Sequence, residues 1–291
     1  CGVPGHKPTG GLVPNTGHHP AAPERGGTYL CTGPIGRTVA DLELILGVIA
    51  GPDGVDPACV SRFGGPSSVD LCDVTVIPIE HNGACRVRAG VRAAVRNSAQ
   101  ALADQGATLR DGVVIPGLAR SFQLWSGMLS EAADDRYDVV LGGGEPIDMG
   151  RELLRMATGR SRHTIAGLLL TLGDKLVGAL PQDLGPLVDE GKALQADVEA
   201  ILGDTGVLIY PPYSRPAPRH RDAWRTALDA QYTAIFNVLE LPVTVVPVGF
   251  DERGLPLAVQ IVGSRGQDAL TLRVGRALEA AMGRWCPAEP G

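Results

Sequence analysis

The segment that most restricts the fold is a pair of apolar runs separated by one amphipathic stretch. VTVIPI at 74–79 is short and rich in β-branched residues, which predicts a buried strand. RVRAGVRAAVRNSAQALADQG at 86–106 repeats apolar residues at helical spacing and ends on a glycine, which predicts a helix. ATLRDGVVI at 107–115 predicts the next strand. A strand–helix–strand order is typical of parallel pairing, so an α/β fold with a partly parallel sheet is expected.

Other patterns complete the expected order of elements. In TVADLELILGVIAG, Thr38 stands three residues before Asp41, close to a capping box, and Gly51 supplies a stop, so a helix is expected there. Residues 1–37 lack periodicity and predict a long loop with short strands. The remaining predictions are a mostly helical stretch at 118–205, buried strands at 207–212, 241–250 and 257–263, and helices at 223–239 and 267–283.

Composition excludes several classes of protein. A chain of 291 residues, 44% of them hydrophobic, can bury a sizeable core, and no repeat or clear linker divides it, so residues 1–291 are interpreted as one domain. The net charge of −6 argues against a nucleic-acid partner. The longest apolar run is broken by Asp174 and Lys175, so no membrane span is expected.

The six cysteines form no Cys-x-x-Cys pair. A chain of this length needs no disulfide staples, so reduced thiols and a cytoplasmic location are expected. Cys1 could serve as an N-terminal nucleophile activated by its own amine, but only with a processed terminus. An ordinary thiol is the preferred interpretation of Cys1.

The glycines and histidines of the opening segment suggest two sites that the spacing does not support. A phosphate-binding loop needs four residues between its glycines and a helix after its lysine, whereas Pro8 follows Lys7 here. His6, His18 and His19 lie in one loop but match no zinc-ligand spacing, so no metal site is predicted.

Serine and acidic candidates are equally weak. Ser67 and Ser68 follow two glycines, but no Gly-x-Ser-x-Gly motif exists and a turn cap is the simpler interpretation of Ser67. Glu131, Asp134 and Asp135 are interpreted as a solvated helix face. No catalytic constellation can be assembled from spacing alone.

The opening segment nevertheless resembles a known family. CGVPGHKPTGGLVPNTGHHP, followed by GPIGRTVADLELILGVIAGPDGVDP, resembles the amidase signature family of serine amide hydrolases. YTAIFNVLELPVTVVPVGFDERGLPLAVQIVG and DALTLRVGRALE look like that family's later strand pair and last helix. GLVPNTGHHP with LCTGPIGRTVADLELILGVIAGP is most similar to the fatty-acid amide hydrolase type 2 branch.

The resemblance implies a fold and an activity. The fold would be an α/β sandwich, with a mixed, twisted central sheet covered by helices on both faces, here lacking its N-terminal part. The activity would be hydrolysis of a carboxylic amide, fatty-acid amides included, to an acid plus ammonia or an amine. No metal and no organic cofactor are implied.

The resemblance also places the catalytic groups outside the sequence. In the family, a lysine deprotonates a serine nucleophile through a bridging serine on a cis peptide, and backbone N–H groups stabilise the oxyanion. All of these lie upstream of the position matched by Cys1. Lys7, Ser67 and Ser68 are therefore not the catalytic residues, and this chain alone is expected to be inactive.

Two groups of residues are candidate substrate contacts by the same resemblance. Cys31, Thr32 and Gly33 would lie near the acyl pocket. Residues of the variable helical region would line an apolar acyl channel, with ordinary core packing as the alternative. That second group is Trp125, Met128 and Leu129.

Further residues are expected to be structural. Gly2 and Gly5 would allow a tight backbone path, and Arg37 with Asp41 would form a clamp near the site. Two amides that would tie the strands together complete the set: Asn237 and Gln260.

Three alternatives stay open at this point. The chain could resemble the A-type subunit of a glutamyl-tRNA amidotransferase, a non-catalytic scaffold with the same fold, or an N-terminal cysteine hydrolase. The expected partner is a small amide, with a homodimer as one arrangement to consider. The chain by itself is expected to expose sheet edges and apolar surface, and so to be prone to aggregation.

Overall fold

One six-stranded mixed sheet organises the chain. The computed structural model describes residues 2–19, 26–133, 137–164, 167–168, 171–172, 183–219 and 222–283. The strands are β1 (Gly5–Lys7), β2 (Thr75–Pro78), β3 (Thr108–Leu109), β4 (Gly206–Tyr210), β5 (Val243–Phe250) and β6 (Pro256–Val262). Their order across the sheet is β1-β5-β6-β4-β2-β3.

The sheet contains both kinds of pairing. β2 lies between β3 and β4 and is parallel to both. The other neighbours are antiparallel: β4 with β6, β6 with β5, and β5 with β1. The outer side of β1 meets the irregular stretch 34–36, where His6 N–H donates to the Pro34 carbonyl and Gly36 N–H donates to the Pro4 carbonyl. The edge at β1 is thus partly covered by the chain's own backbone.

Eight α-helices flank the sheet in the described part of the chain. They are α1 (Val39–Ile49), α2 (Ala89–Ala103), α3 (Ser121–Ala132), α4 (Tyr137–Leu141), α5 (Met149–Ala157), α6 (Gly185–Leu202), α7 (Gln231–Val238) and α8 (Asp268–Met282). Short 3-10 helices cover Gly27–Tyr29, Leu71–Asp73, Pro116–Arg120 and Ala223–Ala230.

Helices cover both faces of the sheet. Successive residues of a strand point to opposite faces, so one strand contributes side chains to two separate cores. In β4, Val207 and Ile209 enter a core shared with α1, α2 and α8. Leu208 and Tyr210 enter a second core shared with α3, α6 and α7. The expected mixed sheet with helices on both faces is confirmed.

Two predicted elements differ from the structure. The strand expected at 107–115 pairs only over Thr108–Leu109, because Gly112 has a φ of 75° and turns the chain away from β2. The helix expected at 223–239 begins as a 3-10 helix and becomes α-helical only at Gln231. The Tyr213 hydroxyl donates to the Thr226 carbonyl, a group that an α-helix would use in its own hydrogen bonds.

The capping box predicted at the start of α1 is present. Thr38 has an extended backbone, and its hydroxyl accepts from the Asp41 N–H at 3.2 Å. The Asp41 carboxylate accepts from the Thr38 N–H at 2.8 Å and from the Arg37 N–H at 3.1 Å. Hydrogen bonds from Thr38, supported by Arg37, hold the pKa of Asp41 below its ordinary value. Asp41 thus bonds to the backbone of Arg37 as part of the helix cap.

Replacing Thr38 with alanine is expected to lower the free energy of unfolding by about 1 kcal/mol, the usual cost of a lost N-cap. Urea unfolding followed by circular dichroism measures the change. Thr233→Ala is the matched control, because its hydroxyl bonds only to a carbonyl one turn earlier on an exposed helix face. Equal midpoints for Thr38→Ala and the unmodified chain would contradict the role of the cap.

Candidate functional site

A buried polar cluster joins the opening segment to the last helix. The His6 ring lies between Thr244 and Asp268, with Nδ1 3.0 Å from the Thr244 hydroxyl and Nε2 3.1 Å from Oδ1 of Asp268. Thr9 donates its N–H to Oδ1 at 2.8 Å and its hydroxyl to Oδ2 at 2.5 Å. The cluster therefore fixes β1 and the turn after it against β5 and the first residue of α8.

The charge of Asp268 is stabilised in this cluster although the side chain is buried. Burial alone would raise the pKa of Asp268, but the hydrogen bond and charge of His6 and the hydrogen bonds from Thr9 outweigh it. The pKa of Asp268 is therefore held below its ordinary value. The carboxylate acts as an acceptor that locks the backbone, which is a structural task.

Lys7 and Cys31 meet beside this cluster. The Lys7 ammonium donates to the Pro8 carbonyl at 2.7 Å and lies 3.7 Å from the Cys31 sulfur. Burial lowers the pKa of Lys7, and burial raises the pKa of the Cys31 thiol, although Lys7 partly offsets the second shift. A thiol with a raised pKa holds little thiolate, so Cys31 is a poor nucleophile.

Gly33 lies where the backbone leaves no space for a side chain. A Cβ atom at Gly33 would stand 2.0 Å from the carbonyl oxygen of His6. Thr32 next to it is exposed, and Cys31 is half-buried. The three candidates thus form one stretch along the outside of β1, with Thr32 facing solvent.

Glu240 is a neighbour of this stretch that the sequence does not suggest. It is the one residue other than glycine with a positive φ, 56°, in the described part of the chain. Its carboxylate accepts from the Thr28 hydroxyl and pairs with Arg265 at 2.8 Å, and its carbonyl accepts from the Gly10 N–H at 3.2 Å. These contacts hold the 3-10 helix before Cys31 against the end of α7.

The candidates on α3 fall into two environments. Met128 is 2% exposed, and its sulfur would lie 2.1 Å from a Cβ at Gly191 of α6, so it belongs to the core between these helices. Trp125 and Leu129 are half-buried. The end of α3 lies against Gly26, which precedes the Cys31 stretch, because Ala132 would lie 2.7 Å from a Cβ at Gly26. The structure thus places the end of α3 against the loop that leads to Cys31.

A second buried polar group lies where β2 and β4 end. The Tyr232 hydroxyl donates to the Asn82 side chain at 2.9 Å, and Asn82 donates to the Gln231 side chain at 3.1 Å. Gln260 donates to the carbonyls of Pro211 and Tyr232 at 2.9 and 3.0 Å. Burial raises the pKa of Tyr232 to about 12, so its phenol stays protonated and donating.

The two amide residues predicted to be structural therefore differ in their hydrogen bonding. Gln260 bonds to Pro211, which follows β4, and also ties β6 to α7, a helix and not a strand. For Asn237 the structure gives no side-chain hydrogen bond to the residues that it describes, and the side chain is half-buried. The two glycines predicted to be structural also differ. Gly2 has a φ of 68°, which favours glycine, whereas a Cβ at Gly5 would meet its nearest atoms at 3.8 Å, so a side chain would fit there.

Most other residues considered in the sequence lie apart from these clusters, except Cys85, whose sulfur accepts from the Gln231 side chain at 3.0 Å. The Ser67 hydroxyl accepts from the Val69 N–H at 3.2 Å, as a turn cap does. His18 and His19 are exposed, whereas His6 is buried. Cys31, Cys59, Cys72 and Cys85 are free thiols. Three candidates, Cys1, Asp134 and Asp135, lie outside the described residues, as does the remaining cysteine, Cys286.

Comparison with known proteins gives a consistent result. Residues 1–272 match the family model described as Amidase. Fatty-acid amide hydrolase 2-A of Danio rerio is 33% identical, over 100% of this chain and 54% of its own length. Fatty-acid amide hydrolase 2 of Homo sapiens is 31% identical, over 98% of this chain and 55% of its own length. The chain thus spans about half the length of the curated relatives that it matches.

One solved structure illustrates the shared fold. The A-type subunit of the glutamyl-tRNA(Gln) amidotransferase from Thermotoga maritima superposes with a TM-score of 0.71 at 22% identity, over 96% of this chain and 58% of that one. Within the described residues, no helix is both long and apolar enough to traverse a lipid bilayer.

Proposed function

This chain belongs to the amidase family, and from that premise we propose that it forms the C-terminal part of an amide hydrolase. The reaction is cleavage of a carboxylic amide to an acid plus ammonia or an amine. The observation that carries the proposal is the family match over residues 1–272. The names of the two curated relatives support fatty-acid amides as the substrate class.

The catalytic groups come from polypeptide outside these 291 residues in this proposal. Serine hydroxyls of the described residues bond mainly to carbonyls and carboxylates, such as Ser121 to the Leu118 carbonyl and Ser214 to Asp229. Among these described serines, none has a hydrogen bond to a lysine or histidine side chain. Lys7 is engaged by Pro8 and Cys31, which supports a structural task for its amine.

The proposed reaction proceeds through an acyl-enzyme. A lysine outside the chain accepts the nucleophile's proton through a bridging serine, and the nucleophilic oxygen bonds to the amide carbon. The C–N bond then breaks, and the leaving nitrogen takes a proton. Water attacks the ester, releasing the acid and restoring the serine. Backbone N–H groups stabilise each tetrahedral oxyanion.

This chain contributes the walls of the acyl site in our proposal. The half-buried faces of Trp125 and Leu129 contact the acyl chain, with Met128 packed behind them. Cys31, Thr32 and Gly33 form the neighbouring edge, held in place by the cluster around Asp268. The support is the position of the end of α3, where Ala132 lies against Gly26 in the loop that leads to Cys31.

The substrate proposal is tested in a joined polypeptide. In it, this chain follows the part of the Danio rerio relative that it does not match. Trp125→Ala is expected to lower kcat/KM for a long-chain fatty-acid amide roughly tenfold or more, because an aromatic contact with the acyl chain is lost. The kcat/KM for acetamide should change little, since acetamide does not reach Trp125.

Ser126→Ala on the same helix is the matched control, because its hydroxyl bonds to the Gln123 carbonyl and it leaves the helix face toward the acyl chain unchanged. An equal loss for long and short amides in Trp125→Ala would contradict an acyl contact. Ammonia release from glutamine in place of fatty-acid amides would favour a subunit of the amidotransferase type. Absence of any amide hydrolysis, with a folded joined polypeptide, would favour a scaffold.

A further inference from the structure

Helix α1 is apolar on two opposite sides. Val39, Leu42 and Leu46 are fully buried against the core shared with α2 and α8. On the other side, Leu44 is 72% exposed and Val48 is 79% exposed. Soluble helices that meet solvent carry polar residues on the outer face, whereas a helix that is apolar all round is typical of a buried position.

Neither of the two charged residues of α1 makes the solvent-facing side of the helix polar. Asp41 accepts the N–H groups of Arg37 and Thr38 at the cap. Glu43 turns inward and pairs with Arg276 of α8. The outward positions between the first turn and the end of the helix are Ala40, Leu44, Ile45, Gly47 and Val48, which we call the outer face of α1.

The outer face of α1 lies at the β1 end of the sheet. α1 contacts β1 and α8. At the same end, Ile35 is bridged to Gly5 of β1 and is 74% exposed. Exposed apolar residues gathered at one end of a fold mark an interaction surface.

We propose that the outer face of α1 docks the part of an amidase polypeptide that this chain does not match, the part that supplies the catalytic serines and lysine. The inference rests on the proposed function. Its support is the coverage: the chain accounts for 54% and 55% of the curated relatives and 58% of the solved structure with the same fold. The rest of such a molecule must pack against this half, and a second apolar face is the surface suited to it.

Two other occupants fit the outer face less well. Helices that lie on lipid surfaces carry lysine or arginine on their polar face, and α1 contains neither. α1 has 11 residues, so its outer face is about 16 Å long. The area of this one helix face is therefore well below the roughly 800 Å² that each partner buries in a stable dimer. Another part of the same fold, by contrast, would contact a larger surface of this chain, of which the outer face of α1 is only a portion.

The test measures whether position 48 is covered. Val48→Cys is made in the isolated chain and in the joined polypeptide, and labelling with N-ethylmaleimide is followed at that position by peptide mass spectrometry. The thiol introduced at position 48 is expected to react at least about tenfold more slowly in the joined polypeptide, because labelling then requires local opening. Val114→Cys is the matched control, since Val114 is 77% exposed near the opposite edge of the sheet.

Labelling at position 114 is expected to change much less than at position 48. Cys59, which is buried, reports folding in the same sample by remaining unlabelled. Reaction of Cys59 in the joined polypeptide would show that this polypeptide is not folded. The labelling is then repeated with a joined polypeptide whose added part comes from the Homo sapiens relative. Equal rates at position 48 in both contexts, beside a protected Cys59, would overturn the proposal.

Other outcomes also decide the matter. Protection of position 48 that rises with the concentration of the isolated chain would assign the outer face to a second copy. Protection only with phosphatidylcholine vesicles would assign it to lipid. Both results overturn the proposal. Because the readout is labelling, a joined polypeptide that protects position 48 but hydrolyses no amide would contradict the proposed function and leave the docking surface intact.

Discussion

Asp268→Ala is expected to lower the free energy of unfolding of this chain by about 3–5 kcal/mol, because each buried donor left without its acceptor costs about 1–3 kcal/mol. The carboxylate accepts from His6 and twice from Thr9, and the side chains of His6 and Asp268 are almost fully buried. Alanine would leave the His6 ring and the Thr9 N–H without their acceptor in a dry environment. The opening segment would then lose its attachment to α8.

Urea unfolding of the chain, followed by circular dichroism, measures this effect. Asp197→Ala is the matched control, because Asp197 is an exposed residue of α6, and a change within about 0.5 kcal/mol is expected there. Asp268→Asn keeps the shape and separates the loss of charge from the loss of packing. A loss of less than about 1 kcal/mol in Asp268→Ala would show that this cluster does not secure the opening segment.

The same carboxylate predicts a dependence on pH. The pKa of Asp268 in the folded chain lies below its ordinary value, so the unfolded state takes up a proton first as the pH falls. Its contribution to stability is therefore complete above about pH 4 and is lost as the pH falls through the folded pKa. Unfolding of Asp268→Asn should accordingly depend less steeply on pH below about 4 than that of the unmodified chain.

Gly33→Ala is expected to have the second largest effect, a loss of about 3 kcal/mol in the free energy of unfolding. The added Cβ would lie 2.0 Å from the His6 carbonyl oxygen and 2.8 Å from Cδ of Pro8. His6 lies within β1 and Pro8 directly follows it, so neither can move aside without disturbing the pairing of β1 with β5. The substitution therefore forces the stretch from Cys31 away from β1.

Gly64→Ala is the control for the Gly33 prediction, because a Cβ at Gly64 would meet no atom within 4 Å. Gly64→Ala should be neutral or slightly stabilising, since it reduces the freedom of the unfolded chain. Unfolding midpoints in urea measure both variants. If Gly33→Ala unfolds at the same urea concentration as Gly64→Ala, the close approach of Gly33 to β1 is not a constraint in solution.

The elements that the sequence predicts well are those whose own residues decide them. VTVIPI and the strands near 207, 243 and 257 are apolar on both faces, and they form β2, β4, β5 and β6. The Thr38 capping box lies within one turn, so its pattern is readable directly. The end of β3 and the 3-10 start before α7 depend on Gly112 and on the distant Tyr213 hydroxyl, which no local pattern reveals.

The candidate site is less accessible from sequence. The resemblance to the amidase signature family and to its fatty-acid amide hydrolase type 2 branch is confirmed by the family match and the curated relatives. Sequence reasoning misses Asp268, because its partners His6 and Thr9 lie more than 250 positions away. It misses Glu240 for the same reason: Thr28 contacts it across 212 positions. Polar clusters between distant segments become visible only in three dimensions.

Fatty-acid amide hydrolysis by the joined polypeptide shows most directly whether this chain forms the C-terminal part of an amide hydrolase. The release of acid and ammonia from oleamide is measured for the isolated chain, for the joined polypeptide, and for the joined polypeptide with its nucleophilic serine replaced by alanine. Hydrolysis is expected from the joined polypeptide alone, with none by the isolated chain or the serine variant. Hydrolysis of oleamide by the isolated 291-residue chain would contradict the proposed function, because a catalytic centre would then lie within this chain.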